Sequence, residues 1–184
     1  IGASPQGNDL QTFVGYDGEF RKVSESLPRP VGNTNFYNDS NPESYTVYEH
    51  SELNRIRESY GPGQTWRENW KSVKYTYLYN TKTGDDHCYC LSAKDVGEDI
   101  KVEVKSYDAN EVSILRTTDE DGNVTDQFTD HEGKLILTRQ KANGIPHDTY
   151  IVYDDHGRKR VVLPPLAADA LGGYSTFMCS QVEE

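Results

Sequence analysis

Three side chains in the stretch YDDHGRKRVVL (residues 153–163) have the chemistry of a proton-transfer site: Asp154, His156 and Arg158. An aspartate can orient a histidine base, and an arginine can stabilise developing negative charge, provided the three converge. The same columns recur elsewhere in the chain. TDEDGNVTDQF (118–128) and TDHEGKLILTR (129–139) align with it without gaps. They place Asp119, Asp130 and Asp154 in one column and Gly122, Gly133 and Gly157 in another. The histidine column holds Asp121 and Glu132, and the arginine column holds Asn123 and Lys134. A catalytic set would not lose its histidine while keeping aspartate and glycine. A tight turn would do so: the aspartate accepts backbone N–H groups two or three residues on, and the glycine takes positive φ and opens a bulged strand. Asp119, Gly122, Asp130, Gly133, Asp154 and Gly157 are therefore expected to be structural turn residues, with no catalytic residue among them.

Two weaker copies extend the pattern. YDGEFRKVSES (16–26) keeps Asp17 and Arg21 but puts Phe20 in the glycine column. A residue with a Cβ is costly at positive φ, so another turn type is expected there. YDANEVSILR (107–116) has Glu111 in that column, with Asn110 before it.

Other chemical readings are thinner. HCYC (87–90) suggests metal, but paired zinc ligands usually stand at least two residues apart and a site wants four of them. On a strand Cys88 and Cys90 share a face, with Tyr89 opposite. An odd count of three cysteines leaves at least one thiol outside any intrachain bond; Cys88 or Cys90 could pair with Cys179. DEDGNVTD (119–126) is acidic but lacks the glycine and glutamate positions of a calcium loop. No metal site is expected. There is no Gly-x-Ser-x-Gly, no paired histidine on a helix and no phosphate loop, so neither an enzyme nor a cofactor is expected. The binding candidates are aromatic: Trp66, Trp70, Tyr75, Tyr77 and Tyr79 cluster in sequence and could stack on a ligand, although the same row also suits a packing face.

The elements that must position these residues are strands. Period-2 or β-branched runs cover 21–27, 43–50, 70–80, 99–107, 111–118, 123–129, 134–140, 149–154 and 158–163. Tyr75, Tyr77 and Tyr79 fall on one face of their strand. A longer loop is expected over 141–149, with Asn143-Gly144 and Pro146 as turn residues, and another over 30–44. Helix is scarce. SELNRIRESYG (51–61) is the best candidate, with Ser51 as cap, Leu53 and Ile56 on one face and Gly61-Pro62-Gly63 as the stop. PPLAADALGG (164–173) allows a second, with Pro165 in its first turn and Gly172 as terminator. The expected fold is all-β, an antiparallel hairpin meander with one or two short helices. It is expected to form a single domain over 1–184, divisible into a first repeat at 1–30 and a main sheet at 45–164.

The charge narrows the partners. With 30 acidic and 19 basic residues the net charge is −11, which disfavours nucleic acid and anionic membrane. No apolar run approaches the length needed to cross a bilayer, and no signal peptide is visible. Because the chain starts at Ile1, a processed or truncated piece of a longer product is expected.

The repeated YDxxGR pattern resembles the YD-repeat, or Rhs-type, proteins. The order YTVYEHSELNRIRESYGPGQTW, VKYTYLYN, TTDEDGNVTDQFTDHEGKLILTRQ and HDTYIVYDDHGRKRVVLPPLAADAL is similar to an N-terminal region, a domain of unknown function, of large YD-repeat surface proteins of Bacteroidetes. The resemblance spans about residues 10–171. It implies non-catalytic β-hairpin repeats in an exported shell or stalk, at the cell surface or extracellular, whose partners are the remaining repeats of the parent protein. A glycan or protein ligand bound by exposed aromatics is the alternative. The family's self-cleaving aspartate motif has no counterpart in this sequence.

Overall fold

A computed structural model describes residues 10–181; the start of the first repeat expected over 1–30 lies outside them. The fold is all-β, dominated by antiparallel pairing, with two short helices. The chain divides into two compact units. One holds the residues up to Tyr75 together with Thr118–Gly122, and the other holds Thr76–Thr117 and the residues from Asn123 on.

The first unit contains β1 (Leu10–Gln11), β2 (Val14–Tyr16), β3 (Lys22–Ser26), β4 (Arg29–Pro30), β5 (Glu43–Tyr48), β6 (Ile56–Tyr60), α1 (Gln64–Glu68) and the start of β7 (Val73–Tyr79). Strands β2, β3, β5, β6 and β7 pair in that order, while β1 and β4 form a separate pair. The helix expected over 51–61 is not there. Leu53 is exposed, so it has no surface to bury against, and Asn54 stands at φ 53°, which ends any helix. Residues 51–55 form a turn and 56–60 form β6. The helix comes later, at α1, so Gly63 starts it instead of stopping its predecessor. Its N-terminus is capped from a distance: the Asp39 carboxylate accepts the Gln64 N–H at 2.9 and 3.1 Å.

The second unit contains β8 (Tyr89–Val96), β9 (Asp99–Ser106), β10 (Ser113–Thr118), β11 (Val124–Thr129), β12 (Leu135–Ala142), β13 (Ile145–Asp154), β14 (Lys159–Leu163), α2 (Pro165–Asp169) and β15 (Thr176–Met178). Its strand order is β15-β9-β8-β13-β12-β11-β10-β7, with β14 on β13. β8 meets β13 in a short parallel pairing. Among the described residues every fully buried apolar side chain lies in this unit, including Phe128, Leu137, Val152, Val102 and Ile114.

Two sequence expectations fail in this unit for local reasons. Residues 141–149 are no long loop: Ala142 pairs with Ile145 and Lys141 with Pro146. Asn143 and Gly144 stand at φ 53° and 79°, the two left-handed positions of a two-residue hairpin. YDANEV (107–112) does not close a hairpin, because β9 and β10 are not neighbours. Buried Asn80 fastens that crossover instead. Its Nδ2 donates to the Asp108 carbonyl at 2.8 Å, its Oδ1 accepts the Val112 N–H at 2.8 Å, and its own carbonyl accepts the Asn110 N–H.

Candidate functional site

The recurring aspartates occupy one geometry. At Asp154 the carboxylate Oδ1 accepts the backbone N–H groups of His156 (3.0 Å) and Arg158 (2.9 Å), and Oδ2 accepts Arg158 Nε (2.8 Å). The main chain closes the same turn, with Gly157 N–H on the Asp154 carbonyl and Asp154 N–H on the Arg158 carbonyl. Asp130 repeats the backbone bonds with Glu132, Gly133 and Lys134, while the Lys134 ammonium turns to Glu132. Asp119 takes the Asp121 N–H, and its carbonyl takes the Gly122 N–H. The hairpins closed by the Asp130 and Asp154 turns carry the register shift of a bulge, between Phe128 and Thr129 and between Val152 and Tyr153 of the entering strands. His156 lies exposed at the tip, and its ring takes no part in the turn.

The first hairpin corrects the expectation drawn from Phe20. Residue 20 does reach positive φ, at 60°. The bonds match those at Asp154: Asp17 Oδ1 accepts the Glu19 and Arg21 N–H groups, and Oδ2 accepts Arg21 Nε at 2.7 Å. The phenyl ring is 88% exposed, so it meets no steric wall. The Asp17 bonds and the Arg21 ion pair hold the strained residue. A further copy escaped sequence reading at Ser51–Arg55. Ser51 replaces the aspartate, its Oγ accepting the Leu53 N–H, and Asn54 replaces the glycine. Glu49, two residues upstream, grips Arg55 at 2.6 Å.

These clamps set the electrostatics. Desolvation would raise the Asp154 and Asp17 carboxyls. The N–H bonds and the arginine beside each outweigh it and hold both below their ordinary values. Arg55 and Ser51 lower Glu49 in the same way.

The densest polar cluster is a cross-strand row in the second unit. Register sets Asp126 opposite Arg139 and Arg139 opposite Asp148. Arg116 grips the fully buried Asp126 with Nε and Nη2 at 2.7 and 2.8 Å, and Nη2 also reaches Asp86 at 2.8 Å. Arg139 holds Asp148 with two bonds of 2.7 Å and adds the carbonyls of Asp85 and His87. Its guanidinium lies over the Phe128 ring, 5.1 Å from the centroid. Burial followed by Arg139 lowers His87, while burial pushes the Cys88 thiol up to about 12. The row is a ladder of alternating charge whose donors and acceptors are engaged by protein. The sequence signal was a charged residue on the inward face of each of four consecutive apolar strands.

The aromatic candidates are distributed over α1, the turn after it and β7, and over both units. Tyr75, Tyr77 and Tyr79 share a face of β7; Tyr79 is exposed and the other two half-buried. Trp66 lies on α1 and Trp70 just after it at φ 54°, the latter 78% exposed. Both tryptophans belong to the first unit, and Tyr77 and Tyr79 to the second. The cysteine pairing left open by the sequence is closed by register. Cys90 stands opposite Lys105 and Met178 opposite Lys101, which separates Cys90 from Cys179 by roughly 13 Å of strand. A disulfide tolerates only about 7 Å between Cα atoms, and Cys88 is farther still.

Residues 1–79 match the family model described as a domain of unknown function (DUF6443). The matched stretch ends with β7, so it takes in the continuous part of the first unit and none of the second unit's buried core. No curated protein and no solved structure matches the chain. Among the described residues no helix is long and apolar enough to cross a membrane.

Proposed function

We propose that the chain is a non-enzymatic structural module of YD-repeat type, part of an exported protein of Bacteroidetes that is displayed at the cell surface or secreted. Its partners are the remaining repeats of a longer parent, and its role is to build shell or stalk. The observation that supports this is the reuse of one aspartate turn in both units, with the aspartate bonded to its own turn each time. A residue type that recurs to set strand register serves architecture. The test is to tag the gene product in its native bacterium, fractionate the cells and challenge them with external protease. Surface or secreted material that is elongated or shell-like by electron microscopy supports the reading. Retention in the cytoplasm overturns it, as does substrate turnover by the purified chain.

A second reading, a carbohydrate- or protein-binding adhesin module, is favoured by the exposure of Trp66 and Trp70. Indole rings of this size in water are natural stacking platforms. A glycan array that detects no binding would remove its carbohydrate form.

A further inference from the structure

The first unit carries a polar cavity of about 490 Å³, walled by the loop between β4 and β5 and by Arg67 of α1. That volume falls within the roughly 300–1,000 Å³ of small-ligand sites. We propose that this cavity binds a neutral saccharide. The proposal rests on the adhesin reading above and places its site.

Four observations carry it. First, the loop is pre-ordered by polar bonds. Arg29 Nη1 donates to the Thr34 carbonyl, Asp39 accepts the Asn41 and Gln64 N–H groups, and the Asn41 carbonyl accepts the Gly63 N–H. A cavity walled this way exists before a ligand arrives, which lowers the ordering cost of binding.

Second, its charges balance. Arg29 and Arg67 stand with Asp39 and Glu43 in one lining, so the wall carries no net formal charge that would favour a simple anion or cation. Hydroxyl groups both donate and accept, and they suit guanidinium and carboxylate together.

Third, the Glu43 carboxylate keeps capacity. Arg67 Nη2 bonds the Glu43 main-chain carbonyl, not its carboxylate. Arg29 reaches the Glu43 carboxylate only at 3.9 Å, leaving that carboxylate able to accept hydroxyls.

Fourth, an aromatic ring stands close by. A Cβ built on Gly63 would lie 3.0 Å from the Trp66 ring and 3.9 Å from the Asp39 carboxylate, so indole and carboxylate are near neighbours. The ring is not part of the cavity wall, so a sugar held there meets it by extending past that wall, its apolar face stacking while its hydroxyls bond.

The test uses the full chain and a panel of neutral oligosaccharides (β-glucan, xylan, α-glucan and N-acetylglucosamine types) at up to about 10 mM, read by calorimetry and by ligand-observed NMR. Binding by at least one member is expected. Arg67→Gln and Glu43→Gln should each weaken it about tenfold or more with unchanged circular dichroism, and Trp66→Ala should do likewise. Leu166→Ala, an exposed residue of the second unit, should leave it intact. Loss of binding in Trp70→Ala but not in Arg67→Gln or Glu43→Gln overturns this site while the adhesin reading stands. Silence across the panel, or equal affinity for uronate or acetate as for the neutral sugars, overturns the proposal.

Discussion

The two units solve one problem by different means. The second buries Phe128, Leu137, Val152 and their neighbours in a shared core. Among the described residues the first buries only Ser26, Pro42 and Ser72. Its sheet is held by turn clamps and by arginines laid over rings: Arg21 over Tyr48, Arg29 over Phe13 and Arg67 over Tyr45. Apolar burial normally supplies most of a fold's stability. A sheet without it must lean on register-setting turns, and the same aspartate turn that merely shapes the second unit becomes a main support of the first.

The sharpest way to break this contrast is to cut the core. Phe128→Ala should cost about 3–5 kcal/mol and strip amide protection from the second unit, as read by hydrogen exchange. Equal loss of protection in the first unit would show that its clamps do not sustain it. Next comes the charge ladder. Asp126→Asn leaves the Arg116 guanidinium without its buried carboxylate and should cost about 2–3 kcal/mol in denaturant titrations, at the low end because Arg116 is a quarter exposed. Asp126→Leu combined with Arg116→Met should recover most of that, since an apolar pair of similar volume replaces a costly charged one.

Acid should sharpen the contrast from the other side. The Asp17 carboxyl is held below its ordinary value of 3.8. A group depressed in the folded state stabilises above its unfolded pKa, and that contribution is lost as pH falls through the lower folded value. Exchange protection at residues 16–24 should therefore hold above about pH 4 and fall below it. Asp17→Asn should remove the pH dependence there and lower protection at all pH values. If the first unit kept full protection in acid, something other than the clamps would be holding it.

The fold class was legible because period 2 is a strong signal: every strand expected from alternation has a counterpart, and the Asp-x-x-Gly turns open where the glycines stand. What escaped notice lacked a local signal. β8 carries a mixed sequence, and β1, β2 and β4 are too short for alternation to be visible. Ser51-x-x-Asn54-Arg55 hid a turn because serine and asparagine do the work of aspartate and glycine, while Leu53 and Ile56 imitated a helical face. The aromatic candidates were visible as a run in sequence, and the fold distributes them between the α1 region and β7. The cavity was illegible: Arg67 meets the 29–43 loop through tertiary contacts alone, its own bond to the Glu43 carbonyl and the capping of α1 by Asp39.

The smallest effect is also the most specific. Phe20 and Gly157 occupy the same turn position, at φ 60° and 74°. Phe20 bears the steric cost of a Cβ in the left-handed region, roughly 1–2 kcal/mol. Glycine removes that cost but adds freedom to the unfolded chain, worth roughly 0.5–1 kcal/mol. Since the exposed phenyl ring buries little, Phe20→Gly should stabilise the first unit by about 0.5 kcal/mol. Gly157→Ala should destabilise by about 1 kcal/mol, chiefly through backbone strain, because the new Cβ meets only the mobile end of Lys134. Opposite signs at equivalent positions would show that the turn fixes the backbone and the residue merely adapts. If Phe20→Gly instead destabilised, the phenyl ring would be making a contact that matters, and the first unit would not be as free of apolar support as its burial indicates.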